Sequence, residues 1–154
     1  MNIIINHDYR SDMTQDLPLE ALARMVLEHE EMPANTEVSV TFVDNEEIAR
    51  LNEEYRGKEG PTDVLSFECD GLFDEMEDSE GFGAEIFELG DIVIAVDVVE
   101  RQAGGYGNTF EQEVQLMLVH GLLHLCGYDH IEDDEAEEME SLQADLLAAW
   151  SARA

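Results

Sequence analysis

The chain has 154 residues, of which 44% are hydrophobic, and a formal net charge of −31 from 38 acidic and 7 basic residues. This length suits one domain with a buried core, and the hydrophobic content excludes a disordered chain. No apolar run reaches the ~18 residues that a membrane-spanning helix needs, and the N-terminal residues lack the basic segment of a signal peptide. Two cysteines do not make a disulfide framework. We therefore expect one cytoplasmic domain over residues 1–154, with no membrane contact.

Hydrophobic periodicity and capping residues predict a series of strands and helices in the first half of the chain. Pro18 suits a first helical position, and Asp44 with Glu47 forms an approximate capping box. The predicted elements are, in order, a strand at 2–6, a helix at 17–32, a strand at 36–43, a helix from Asp44 to about residue 54, a charged loop at 55–62 and a short strand at 63–68.

The second half begins with an acidic stretch, residues 70–84, that we expect to be a solvated loop. It continues with a strand at 86–96 whose apolar run is typical of the centre of a sheet. Asp97 could cap a short helix at 98–103 that is broken by Gly104–Gly107. Thr109 and Gln112 form a capping box for a buried helix over 110–126, and residues 132–150 form a last helix. The predicted class is α+β: a single mixed sheet of about four strands packed against helices, with that buried helix at its centre.

Charge is distributed unevenly in one respect. The acidic residues occur in every segment, which favours adaptation to high internal salt. By contrast, three of the seven basic residues, Arg50, Arg56 and Lys58, lie within nine positions. In a chain so short of cations, this cluster indicates a local interaction with an anion.

Three of the five histidines are His120, His124 and His130. Residues four apart lie on one face of a helix, so the first two can bind one ion, and a turn at Gly127 can bring back the third. Three histidines with one open position are typical of catalytic zinc, one ion per chain, although imidazole also suits nickel and copper. Cys126 could be a fourth ligand or a small buried residue. The spacing matches the zinc peptidase motif H-E-x-x-H-x-x-G-x-x-H, but Gly121 occupies the position of its general base.

Two motifs together resemble a known family. Residues 51–67 read L-N-E-E-Y-R-G-K-E-G-P-T-D-V-L-S-F, similar to the signature Y-R-x-K-D-x-P-T-D-V-L-S-F of the YbeY-type endoribonucleases. Residues 120–130 match that family's H-G-x-L-H-L-x-G-Y-D-H, and residues 89–92 resemble its L-G-D-I strand. The resemblance covers most of residues 45–142. Glu59 and Glu68 depart from it, where the family usually has Asp and Pro.

The resemblance implies a single-strand-specific, zinc-dependent endoribonuclease that acts in maturation of the 3′ end of small-subunit ribosomal RNA and in ribosome quality control. It implies His120, His124 and His130 as zinc ligands and Arg56 as the catalytic arginine. Arg50 and Lys58 could bind neighbouring phosphates, and Asp129 could either support a ligand histidine or cap the last helix. Expected partners are precursor RNA and ribosomal proteins or a ribosome-associated GTPase. A zinc peptidase and a non-catalytic assembly factor are the alternatives.

Overall fold

A computed structural model of the protein describes residues 1–68, 87–128 and 133–152. Within these ranges the elements are, in order, β1 (Asn2–His7), α1 (Ser11–Thr14), α2 (Leu19–His29), β2 (Thr36–Val43), α3 (Asn45–Arg56), β3 (Val64–Glu68), β4 (Phe87–Ala95), α4 (Val96–Tyr106), α5 (Phe110–Leu125) and α6 (Asp133–Ala152). The acidic stretch at 70–84 lies outside the described residues, as do His130 and Asp129.

The strands form one mixed sheet in the order β1-β2-β4-β3. β1 pairs in parallel with β2 and β2 with β4, whereas β3 runs antiparallel to β4 at the edge. The predicted α+β class with a mixed sheet is therefore confirmed, as is the interior position of β4. Across the described residues, the structure contains no helix with the length and apolarity required to span a membrane.

Side chains alternate across β4 and separate the core into two parts, because successive residues of a strand point to opposite faces. Ile92 and Ile94 enter the main core, which includes residues of α2, α5 and α6. Val93 and Ala95 enter a smaller cluster with Ile48 of α3. Helices α5 and α3 therefore cover opposite faces of the sheet.

Local hydrogen bonds explain where two helices begin. The Thr109 hydroxyl accepts from the Gln112 amide at 3.1 Å, and the Gln112 side chain accepts from the Thr109 amide at 2.9 Å, so the predicted capping box of α5 is confirmed. Asp44 accepts from the amide of Glu47 at 2.8 Å and caps α3. From Val114 onward α5 is largely buried, as its apolar sequence predicted.

The prediction for α4 was wrong. The helix covers Val96–Tyr106, Ala95 is its N-cap, and Gly104 and Gly105 lie inside it. A glycine costs a helix about 1 kcal/mol relative to alanine, which burial of the helix's apolar face can offset. Asp97 lies in the first turn, where it accepts hydrogen bonds instead of capping.

Other element boundaries also differ from expectation. Helix α2 is shorter than the predicted 17–32, and Pro18 is its N-cap residue instead of its first helical residue. Helix α3 extends to Arg56, so that the Arg56 side chain leaves a helix end and not a loop. The short helix α1 was not predicted. Its four residues carry too little periodicity to be distinguished from a turn.

Candidate functional site

Two of the predicted ligands, His120 and His124, lie one turn apart on α5 and are half-buried. Their ring centroids are 4.7 Å apart, and the ring planes meet at 83°. The i, i+4 spacing on a helix brings the two imidazoles together, as the sequence predicted.

The separation of the two rings matches the spacing that a shared zinc ion requires. Two imidazoles that share a tetrahedral zinc through nitrogens at about 2.0–2.1 Å have centroids roughly 5 Å apart, close to the observed separation. Among residues 1–68, 87–128 and 133–152, no group of three or more His, Cys, Asp or Glu side chains is arranged to hold a metal ion. The third predicted ligand, His130, is not among those residues. The metal site therefore stays a prediction that rests on two positioned donors.

Gly121 has a packing role that the sequence did not reveal. A Cβ atom at this position would lie 3.1–3.3 Å from three side-chain carbons of Ile92. This separation is tighter than ordinary van der Waals contact, because α5 approaches β4 closely at this point. A glutamate here would have to enter the core against a fully buried isoleucine. The close contact between α5 and β4 therefore disfavours a side chain at the position where a zinc peptidase has its general base.

One ring nitrogen of His120 has a hydrogen-bond partner on another helix. Its Nδ1 lies 3.0 Å from Oε1 of Gln143 on α6. Sequence reasoning missed this residue, although a signal was present. Gln143 lies four residues after Met139 and three before Leu146, both apolar, and this helical spacing places it on their face of the helix, where a polar side chain calls for a hydrogen-bond partner.

Cys126 follows α5 as its C-cap residue and packs against the main core. Burial, and then the nearby Glu30 carboxylate, raise the pKa of the Cys126 thiol to about 12. The packing of Cys126 against the main core favours its interpretation as a small, partly buried residue.

The arginine loop, residues 56–60, begins where α3 ends. Gly57 adopts a left-handed conformation with φ 66°, which stops the helix. Asn52 is 4% exposed, and its side-chain Nδ2 donates to the Gly60 carbonyl at 2.9 Å. The backbone carbonyl of Asn52 accepts from the Lys58 amide at 3.3 Å. Asn52 thus holds the short exposed loop at two points, Gly60 through its side chain and Lys58 through its backbone.

The three clustered cations differ in their surroundings. Arg50 bonds Glu47 at 2.7 Å and Glu54 at 2.8 Å, so its guanidinium is engaged along the surface of α3. Arg56 and Lys58 are exposed, and neither forms an ion pair with any carboxylate of the described part of the chain. Of the predicted phosphate-binding candidates, Arg56 and Lys58 are therefore the more available.

Contacts around β3 relate the loop to the histidine helix. The Tyr55 ring meets Phe67 edge-on with centroids 5.3 Å apart. On the other face, a Cβ at Gly90 would lie 2.3 Å from the Phe67 carbonyl oxygen and 2.8 Å from Leu125 Cδ2. The C-terminal ends of α3 and α5 therefore approach the same end of β3 from opposite faces of the sheet.

A polar network anchors the other end of β3. Asp63 accepts from the Val64 amide at 2.8 Å and from Gln102 Nε2 at 3.2 Å. Gln102 also donates to Glu113 at 2.9 Å, and Asn108 donates to the second oxygen of that carboxylate at 2.9 Å. Glu113 is 1% exposed, and these amides provide hydrogen-bond partners for both of its carboxyl oxygens. Asp63 thus has a structural role at the start of β3.

The described residues thus form a mixed-sheet domain. It carries a histidine pair on its buried helix and an exposed basic loop near the same end of the sheet. The chain matches the family model described as "Endoribonuclease YbeY" over residues 4–151. It therefore belongs to the YbeY endoribonuclease family, and the family resemblance of its motifs is confirmed.

Individual relatives agree with this assignment. The chain is 43% identical to the Endoribonuclease YbeY of Thermoanaerobacter sp. (strain X514), with 96% of each chain covered. It is 48% identical to that of Bacillus velezensis, over 84% of this chain and 82% of the relative. The solution structure of TM1509 from Thermotoga maritima is 28% identical and superposes with a TM-score of 0.60, covering 97% of this chain and 92% of that one.

Proposed function

We propose that the protein is a zinc-dependent endoribonuclease that acts in maturation of the 3′ end of small-subunit ribosomal RNA and in ribosome quality control. The observation that carries the metal-dependent part is the pairing of His120 and His124, with rings 4.7 Å apart on a buried helix. Family membership supports RNA as the substrate. His130 would be the third ligand, and ribosomal proteins or a ribosome-associated GTPase would present the RNA.

Neutral imidazole donors suit this chemistry. A zinc ion held by His120, His124 and His130 would supply Lewis-acid activation of water and of a phosphoryl oxygen. The buried helix that carries His120 and His124 keeps their rings in fixed positions, which catalysis requires of metal ligands. Gly121, packed against Ile92, leaves no carboxylate between them, so the first proton acceptor has to come from elsewhere in the site or from solvent.

Arg56 would bind the scissile phosphate. Its planar guanidinium can donate two parallel hydrogen bonds to phosphate oxygens and stabilise the charge that develops on them. Lys58 would contact a neighbouring phosphate as a point charge, while the ion pairs of Arg50 limit it to a weaker contribution. The net charge of −31 repels RNA at low salt, and added salt screens that repulsion. RNA binding and cleavage by this protein should therefore tolerate high potassium chloride better than RNA binding and cleavage by a basic nuclease.

The two alternatives make different demands. A zinc peptidase needs a general base where Gly121 packs into the core, which disfavours it. A non-catalytic assembly factor would use the fold and the metal without needing Arg56 for catalysis. Metal content and RNA cleavage measured on the same variants separate these possibilities.

The test compares wild type with His124→Ala, Arg56→Ala and the matched control Arg50→Ala, in molar potassium chloride. We expect His124→Ala to lose both zinc and RNA cleavage. Arg56→Ala should keep zinc and lose cleavage by about 10²-fold or more, as when a group that stabilises transition-state charge is removed. Arg50→Ala should retain both.

Three results would count against the proposal. Wild type that binds zinc but cuts no RNA would favour the assembly factor. Equal loss in Arg50→Ala and Arg56→Ala would remove the special role of Arg56. Cleavage of a peptide substrate by wild type, lost in His124→Ala, would favour the peptidase.

A further inference from the structure

The contact between His120 and Gln143 joins the proposed metal helix α5 to the C-terminal helix α6. Gln143 is half-buried and lies between Met139 and Leu146, which are 1% and 4% exposed. Because these neighbours anchor that face of α6 in the core, the amide has little freedom to move away. Its Oε1 lies 3.0 Å from Nδ1 of the histidine ring.

A neutral imidazole carries its proton on one nitrogen only, and the other nitrogen then holds the lone pair that a metal requires. The amide oxygen is purely an acceptor, so a hydrogen bond to it requires the proton to be on Nδ1. In that tautomer the lone pair of His120 is on Nε2. A partner that fixes the tautomer also fixes the rotation of the ring.

We propose that Gln143 is a positioning residue that holds His120 in the Nδ1–H tautomer, so that the lone pair on Nε2 is the metal donor. This inference rests on the proposed metal site. It assigns to α6 a role beyond packing, because rotation or loss of one amide on that helix would disorient a ligand on α5. A neutral amide performs this role without placing another carboxylate beside the cation, in contrast to the Asp129 carboxylate suggested by the sequence.

The experiment uses the full chain with three single variants. Gln143→Leu removes the acceptor and keeps a side chain of similar size, whereas Gln143→Glu keeps an acceptor oxygen. Gln115→Leu is the matched control, because Gln115 is a half-buried glutamine on α5 that bonds Glu111 instead of a histidine. Circular dichroism confirms that each variant is folded before binding is measured.

Two readouts are independent of nuclease activity. Histidine ¹⁵N NMR of the metal-free protein at about pH 8, well above the pKa of about 6.5 of an ordinary imidazole, reports the tautomer directly. Wild type and Gln143→Glu should show the proton on Nδ1 of His120, and Gln143→Leu should lose this preference. Zinc affinity, measured by competition with a chelator, should fall about 10- to 100-fold in Gln143→Leu, stay within about threefold of wild type in Gln143→Glu, and be unchanged in the control.

The outcomes distinguish this inference from the proposed function. A wild-type His120 with its proton on Nε2, or Gln143→Leu binding zinc as tightly as wild type, overturns the role of Gln143 and leaves the nuclease proposal standing. Wild type that binds no zinc overturns both. A loss of affinity in the control equal to that in Gln143→Leu also overturns the positioning role, because the effect would then be general to these helices.

Discussion

The contact between Gly121 and Ile92 determines how closely helix α5 approaches the sheet, and a methyl group introduced there tests it. Gly121→Ala would place Cβ 3.1 Å from Ile92 Cγ2, 3.2 Å from Cδ1 and 3.3 Å from Cγ1. All three atoms belong to one side chain that is fully buried on the central strand β4. The closest contacts of the added methyl group are therefore all with one residue, which suits a double-mutant cycle.

Two opposing effects set the expected magnitude. Alanine is a better helix former than glycine by about 1 kcal/mol, and overpacking of a core typically costs 1–3 kcal/mol. Gly121→Ala should thus lower the free energy of unfolding by roughly 0–2 kcal/mol. Ile92→Ala alone should cost about 2–5 kcal/mol through lost burial and the cavity that remains. In that background the steric conflict is gone, so Gly121→Ala should stabilise the protein by about 1 kcal/mol.

Urea unfolding of wild type, both single variants and the double variant measures the coupling. The intrinsic fluorescence of Trp150, the sole tryptophan and 7% exposed, reports the transition. Because His120 and His124 flank the site, all four proteins are measured with a chelator at one potassium chloride concentration. We expect a coupling energy of about 1–3 kcal/mol. Additivity within about 0.5 kcal/mol would refute the argument that Ile92 is what excludes a side chain at position 121.

Three further predictions concern stability. Gly90→Ala should lower the free energy of unfolding by more than about 3 kcal/mol, because φ is +153° and a Cβ would lie 2.3 Å from a backbone oxygen. Its control, Gly104→Ala on open helix surface, should raise the free energy of unfolding by about 1 kcal/mol. Urea titration measures both changes. The Tyr9 hydroxyl, and then Arg10, lower the pKa of the Asp97 carboxyl. The ionised carboxylate therefore stabilises the fold above the unfolded pKa of about 3.9, and this contribution is lost as pH falls through the lower folded pKa. Asp97→Asn should lower the free energy of unfolding by about 1 kcal/mol near pH 7 and by little in acid. The melting temperature should rise steeply with potassium chloride, because salt screens the repulsion of a −31 chain; equal stability near zero and at molar salt would contradict a halophilic origin.

Local rules predicted the elements whose signals lie within a few residues. The alternation of Val38, Val40 and Phe42 placed β2 with its observed ends, and the pair Thr109 and Gln112 placed the start of α5. Both signals are short-range: a strand shows period two, and a capping box spans four residues. The same holds for the i, i+4 pairing of the two histidines.

Tertiary contacts decided what the local rules missed. Gly104 and Gly105 were interpreted as a helix break, yet α4 continues through them because its apolar side packs on the core. Gln143 could be linked to His120 only once α6 was known to pack beside α5, 23 residues away along the chain. The sequence shows only that Gly121 replaces the general base of the zinc peptidase motif. The fold shows that this glycine allows α5 to approach β4 closely.

The surroundings of the cations strengthen the functional interpretation of the loop. In a chain with 38 acidic and 7 basic residues, any exposed cation would be expected to meet a carboxylate, and Arg10, Arg24 and Arg50 do so at 2.6–3.1 Å. Within the described part of the chain, Arg56, Lys58 and Arg101 form no such ion pair, and of these three Arg56 and Lys58 lie together on one loop. The dipole of α3 favours a cation at its C-terminus, which accounts for the position of Arg56 without any ligand. It does not account for Lys58, which lies beyond the left-handed Gly57 in a loop held by a buried asparagine. Two available cations on such a loop, at the sheet end that the histidine helix also reaches, are better explained by an anionic ligand than by stability.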